Sequence, residues 1–211
     1  MNGDTVPATR HVTALAATVA LLVGCASEPV VSTQWSDPQL AARSTPLLGG
    51  ARVLVACNAD DRAVLQVCQE HLAAEVLARG ATPVFAPAET VLTSDRAIDG
   101  QLLPSARRDN ARALFVITLT PAATDVSSGL SIGIGGFSVG RGSGVGVGVS
   151  APLGGGRVTT GYAANGRVTE VASGRLVWTA TASAPPSADL PAQFAALAKV
   201  VVDSAVKAGL F

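Results

Sequence analysis

The sequence predicts an α+β protein: one mixed β-sheet with helices packed mainly on one face, starting β-α-β and ending on a C-terminal helix. Three observations carry this. A short apolar run at residues 51–56 is followed by the helical stripe Val64, Leu65, Cys68, Leu72 and Val76. Strand-like runs then recur at 82–86, 113–120, 157–171 and 176–184. Phe194, Leu197, Val201 and Ala205 close the chain on one face of a second amphipathic helix.

Each element has a local reason. The first helix follows Asp60-Asp61, whose carboxylates cap free N–H groups and meet the positive end of the helix dipole, and Gly80 supplies its stop. With about 25 residues between the strand ends, the first two strands fit a right-handed parallel crossover. Pro104 interrupts the next helical-looking stretch, so a short helix is expected only over 105–112, leading into the strand at 113–120. The strands 157–171 and 176–184 meet at Ala172-Ser173-Gly174-Arg175, a turn with glycine where positive φ is useful. Asn165-Gly166 is itself a turn signal and predicts a break or bulge inside the first of them. Ser187 or Asp189 caps the last helix, Pro191 sits in its first turn and Gly209 ends it.

The chain has 211 residues, with 15 Lys+Arg against 15 Asp+Glu, 48% hydrophobic and 4% aromatic residues. That length supports one ordinary core. Zero net charge leaves no electrostatic footprint for nucleic acid, and a mean hydropathy of +0.41 is too apolar for disorder. With two Trp and five Phe, stacking platforms and aromatic cages are scarce.

The N-terminal end reads as a targeting signal. Residues 14–23 are an apolar run after Arg10, too short to span a bilayer, and they end in Leu22-Val23-Gly24-Cys25, which looks like a bacterial lipobox. On this reading residues 1–24 are a lipoprotein signal peptide, and Cys25 becomes the first, lipidated residue. Ala26-Ser27, without an Asp after Cys25, resembles the outer-membrane class and implies a periplasm-facing anchor. Residues 25–50 carry Pro29, Pro38, Pro46 and Gly49-Gly50 and read as a flexible tether, able to reach about 80 Å when extended and roughly 28 Å as a coil. Trp35 and Leu47-Leu48 are anomalous there and imply partial docking on the domain, which is expected to occupy 51–211.

Between Gly129 and Gly156 lie 12 of the 22 glycines, which argues against helix. Residues 129–156 read as a glycine-rich hairpin turning near Arg141-Gly142-Ser143. Within it Gly144, Val145, Gly146, Val147 and Gly148 alternate, leaving a bare backbone face that another chain can approach closely, so these residues are the partner-binding candidates. A surface hairpin, self-association and docking of a partner all remain open readings.

Chemistry-bearing residues are few. Cys57 and Cys68 are an even pair after processing, and a disulfide suits an oxidising periplasm, since one ends a strand and the other lies on the packing face of the next helix. Unpaired buried cysteines are the second reading, and a metal site with His71 and Asp60 the third, weakened by having only three clustered ligands. Gly136-Phe137-Ser138-Val139-Gly140 matches the nucleophile-elbow pattern, but that motif needs a following helix and a downstream histidine, and His71 lies upstream. Gly146 to Ala151 fits a loose dinucleotide pattern without its helix, and Lys199 and Lys207 follow no glycine-rich phosphate loop, so no cofactor is expected. Arg107, Arg108 and Arg112 suit a helix C-terminus, and neither a catalytic set nor a metal set emerges.

The lipobox, the stretch Val149-Ser150-Ala151-Pro152-Leu153-Gly154-Gly155-Gly156 and the closing Val171-Ala172-Ser173-Gly174-Arg175-Leu176-Val177-Trp178 resemble small uncharacterised proteobacterial outer-membrane lipoproteins. More remotely, the β-α-β body is similar to the amino-terminal domain of TolB and to the periplasmic domain of the curli-secretion lipoprotein. The resemblance covers about half the chain. It implies a non-catalytic, lipid-anchored envelope protein that binds a periplasmic or envelope partner or supports envelope assembly, with homo-oligomerisation open. Two alternatives stand beside it: a ring-forming secretion-channel component of the curli type, and a periplasmic hydrolase using Ser138 or the Cys68/His71 pair. The channel reading is opposed by the hairpin's single aromatic, Phe137, where barrel strands carry aromatic girdles.

Overall fold

The computed structural model describes residues 28–86, 98–126 and 158–211. Six strands form one sheet in the spatial order β1-β6-β5-β4-β2-β3, built from β1 (Val30–Ser36), β2 (Arg52–Asn58), β3 (Thr82–Phe85), β4 (Ala113–Val126), β5 (Val158–Glu170) and β6 (Leu176–Ser183). β2 runs parallel to both β3 and β4, and the remaining pairs are antiparallel, which makes the sheet mixed. Helices α1 (Arg62–Ala78) and α3 (Leu190–Lys207) cover one face, and α2 (Ile98–Arg108) packs on the other. The predicted α+β class and C-terminal helix are what the molecule has.

α1 is capped by Asp61, whose carboxylate accepts from the amides of Ala63 and Val64 at 2.7 and 3.0 Å, satisfying donors that the first turn leaves open. Gly80 takes φ +82°, the left-handed conformation that ends the helix without a Cβ penalty. The apolar stripe of α1 buries Val64, Cys68, Leu72 and Val76 against Val53, Val55, Phe115 and Ile117 of the sheet. α3 starts from Asp189, which accepts from the amide of Ala192 at 3.0 Å, and adds Phe194, Leu197, Val201 and Ala205 to the same core. Trp178 is fully buried there and meets Phe115 edge-on, with ring centroids 5.9 Å apart.

Three elements differ from the sequence expectation, each for a physical reason. Residues 30–50, read as tether, belong to the fold: β1 pairs antiparallel with β6, and Leu40, Leu47 and Leu48 are buried. The segment is pinned by the Leu48 amide donating to the Leu210 carbonyl at 2.7 Å and by the Asp37 carboxylate receiving Arg175 at 2.6 Å. α2 begins at Ile98, and Pro104 lies inside it; Ile98, Leu102 and Ala106 still bury one face at i, i+4 spacing, and that burial outweighs the hydrogen bond the proline cannot donate. Finally, β5 runs unbroken through Asn165-Gly166. The glycine is there for space, since a Cβ at Gly166 would stand 2.4 Å from a methyl of Val201 and 3.3 Å from the Trp178 ring. The register shifts fall elsewhere, between Val31 and Thr33, Pro121 and Ala123, and Val168 and Thr169.

α1 and α3 are also joined by charge. Asp203 of α3 accepts from Lys199 at 2.6 Å and from Arg79 at the end of α1. The Lys199 hydrogen bond, followed by the nearby Arg79 charge, holds the Asp203 carboxyl below its ordinary value. A carboxyl with a lowered folded pKa stabilises the fold fully above its unfolded value and ceases to do so as pH falls through the folded one.

Two outcomes follow for stability. Gly166→Ala is expected to lower the urea unfolding free energy by about 1–3 kcal/mol, because the rigid Val201 and the Trp178 ring leave no room for a methyl group. Asp203→Asn is expected to cost less than about 1 kcal/mol near pH 7, and its difference from the parent should vanish in urea titrations carried below the ordinary carboxylate range.

Candidate functional site

The most distinctive geometry lies where β4 and β5 outrun the rest of the sheet. β2 pairs with β4 only as far as Thr118, and β6 pairs with β5 only from Ala163 onward. Beyond those points β4 and β5 continue as a two-stranded arm, from Thr120 paired with Ala163 out to Val126 paired with Val158. Both strands of the arm lead into residues 127–157, which lie outside the described residues, as do the partner-binding candidates Gly144, Val145, Gly146, Val147 and Gly148.

The base of the arm is clamped to the body. Thr160 bridges to Ser187, and the buried Gln193 donates its amide to the carbonyl oxygens of Thr160 and Pro185. Tyr162 meets Phe194 edge-on, with ring centroids 5.0 Å apart. Gly161 permits the close approach, since a Cβ there would lie 2.7 Å from the Ala184 carbonyl oxygen. A shallow groove of about 240 Å³ runs along this junction, between Thr160, Tyr162 and Val158 on one side and Ser187 and Leu190 on the other. It holds no cation and no carboxylate among its lining residues, so its chemistry is that of a neutral contact surface.

Large apolar side chains exposed among the described residues are Val30 and Trp35 on the edge strand β1, Phe85 on the edge strand β3, Val158 on the arm and Leu77 on α1. At the opposite end from the arm, polar contacts lock the β5–β6 turn. Arg43 donates to Glu170 at 2.6 Å, and Ser173 donates to the same carboxylate at 2.7 Å. Those two hydrogen bonds, with Arg43's the larger influence, hold the Glu170 carboxyl below its ordinary value.

The residues singled out in the sequence fall as follows. Cys57 at the end of β2 and Cys68 on α1 are joined by a disulfide, with Cα atoms 6.1 Å apart. The sulfur of Cys68 is therefore bonded, which removes the Cys68/His71 pair as a thiol nucleophile and its base. Among the described residues no three His, Cys, Asp or Glu side chains gather where a metal ion could be held. Asp61 of the Asp60-Asp61 pair serves as a helix cap. Arg107 and Arg108 occupy the last turn of α2, where they meet the negative end of its dipole. Cys25, the lipobox residues Leu22, Val23 and Gly24, and Ser138 lie outside the described residues. Among the described residues, no helix is long and apolar enough to cross a membrane.

The arm and β1 were missed by sequence reasoning. Pro121 concealed the continuation of β4, although Ala122 to Val126 retains strand-compatible small and β-branched residues. Trp35 and the Leu47-Leu48 pair were the available signal for β1.

Comparison with known proteins finds the fold elsewhere. The fold is similar to the PelC dodecamer from Paraburkholderia phytofirmans, at 18% identity and a TM-score of 0.50, covering 82% of this chain and 94% of that one. A variant of the same dodecamer matches at 16% identity and TM-score 0.50, over 82% of this chain and 95% of that one. The lipoprotein GNA1162 from Neisseria meningitidis matches at 17% identity and TM-score 0.42, over 74% of this chain and 99% of that one. No protein-family model and no curated protein matches the sequence.

The disulfide closes a loop with a sequence separation of 11. Replacing Cys57 and Cys68 together by alanine is expected to lower the unfolding free energy by about 2–3 kcal/mol, read from urea midpoints of the parent and variant without reductant. Equal midpoints would show that the bond carries no stability.

Proposed function

We propose that this chain is a lipid-anchored envelope protein, held at the outer membrane through Cys25, whose non-catalytic domain works as one unit of a multi-copy assembly. The observation that carries the reading is the likeness of fold, over most of both chains, to a protein that forms a dodecamer. The lipobox Leu22-Val23-Gly24-Cys25 and the following Ala26-Ser27 support the anchor and its location. The bonded Cys68 and the neutral groove at the root of the arm favour a contact surface over a reaction centre. The partner that the sequence calls for is, on this reading, in the first place another copy of the chain.

A secretion-channel component of the curli type shares the multi-copy requirement, and the projecting arm favours retaining it as the second reading. It adds a demand that the first reading lacks, namely ion conductance across a planar bilayer by the assembled protein.

Metabolic palmitate labelling of the full-length protein, followed by native mass measurement of the detergent extract, tests the proposal. Label that is lost on Cys25→Ser, together with particles many times the mass of one processed chain, is the expected result. Absence of label, or a particle containing one copy, contradicts it.

A further inference from the structure

The pairing register relates the arm to the point where the chain enters the domain. Val30, the first residue of β1, pairs with Ser183; Ser183 pairs with Ala163; and Ala163 pairs with Thr120. Val30 therefore stands at the level of the sheet where the arm begins, and the chain reaches it from the arm's end. The opposite end carries the β5–β6 turn, with Ser36 and the Asp37–Arg175 contact beside it.

The distances agree closely. Four residues lie between Cys25 and Val30, so over these five steps their Cα atoms are at most about 18 Å apart whatever the conformation between them. From Ala163 to Val158 the arm also advances five residues, about 17 Å. A leaflet holding acyl chains on Cys25 consequently lies within about 18 Å of Val30, a reach that the arm matches to about an ångström. We infer that the domain is held with the β4–β5 arm directed at, and touching, the lipid leaflet that carries its anchor. This rests on the proposed lipidation of Cys25.

The surface at this end exposes apolar side chains and carries no cation in its strands. Val30 and Val158 are exposed here by 67% and 53%. Residues 119–126, 158–163 and 183–193 contain no Lys or Arg, so attraction to anionic lipid supplies nothing and the covalent leash does the holding. The charged side chains in these ranges are the carboxylates Asp125 and Asp189, so added salt, which screens charge, does not release the contact.

The test uses the full lipidated protein in vesicles of phosphatidylethanolamine and phosphatidylglycerol containing a nickel-chelating lipid. Nitroxide labels are placed by V158C on the arm or A172C at the far turn, with the native disulfide kept oxidised. Relaxation by lipid-borne nickel is expected to be several-fold stronger at 158 than at 172 and not reduced by added salt. Inserting about twenty flexible residues between Pro29 and Val30 should bring position 158 down to the level of 172. Equal relaxation at the two sites in protein whose Cys25 acylation is verified by mass overturns the orientation alone. So does a label at 158 shielded from both lipid-borne and aqueous nickel, which would place a second copy over the arm. A protein that lacks the acyl mass and fails to float with the vesicles overturns the anchorage itself.

Discussion

The antiparallel pairing of β1 with β6 is the contact on which the functional geometry depends. Without it residues 25–50 are a long leash, and the domain is free to tumble far from whatever holds its N-terminal end. With it the chain from Val30 onward is part of the sheet, and the entry point is set at one end of the sheet. The pairing is reinforced by three further hydrogen bonds, one of backbone and two of side chains. Ser204 of α3 donates to Gln34, the Asp37 amide donates to the Val177 carbonyl at 2.8 Å, and Arg175 closes on the Asp37 carboxylate. The buried Leu47 and Leu48 then carry the chain under α3 and into β2.

The remainder of the fold supplies a rigid platform for that geometry. α3 crosses the sheet above Gly166, close enough that a methyl group is excluded, and its Phe194 and Gln193 brace the base of the arm. α1 is tied to β2 by the Cys57–Cys68 disulfide and to α3 by the Arg79–Asp203–Lys199 group. The arm is thus a cantilever with a braced root, and its direction is inherited from the sheet.

Much of this was legible in the residues, and the misses share a cause. The stripes of α1 and α3, the caps Asp61 and Asp189, and the stops Gly80 and Gly209 are local signals read within a few residues. What escaped was decided by partners distant in sequence. β1 has little apolar periodicity and exists because β6 offers it an edge, a contact separated by some 150 residues. Asn165-Gly166 carries the local signature of a turn, yet a helix near the chain's end requires a bare backbone there. Pro104 in α2 and Pro121 in β4 are breakers by local rule, tolerated where burial of Leu102 and Ala106, or pairing with β5, outweighs the lost hydrogen bond. The arm follows from the same lesson, since only the unequal lengths of neighbouring strands reveal it.

Amide hydrogen exchange across residues 30–36 addresses the central contact most directly. If β1 is a true strand of the sheet, the amides facing β6 exchange with protection comparable to β6 itself, and mild destabilisation of the edge lowers both together. Exchange at the rate of an unstructured peptide throughout that stretch, while β4 and β5 stay protected, would return the segment to a loose tether and contradict the account.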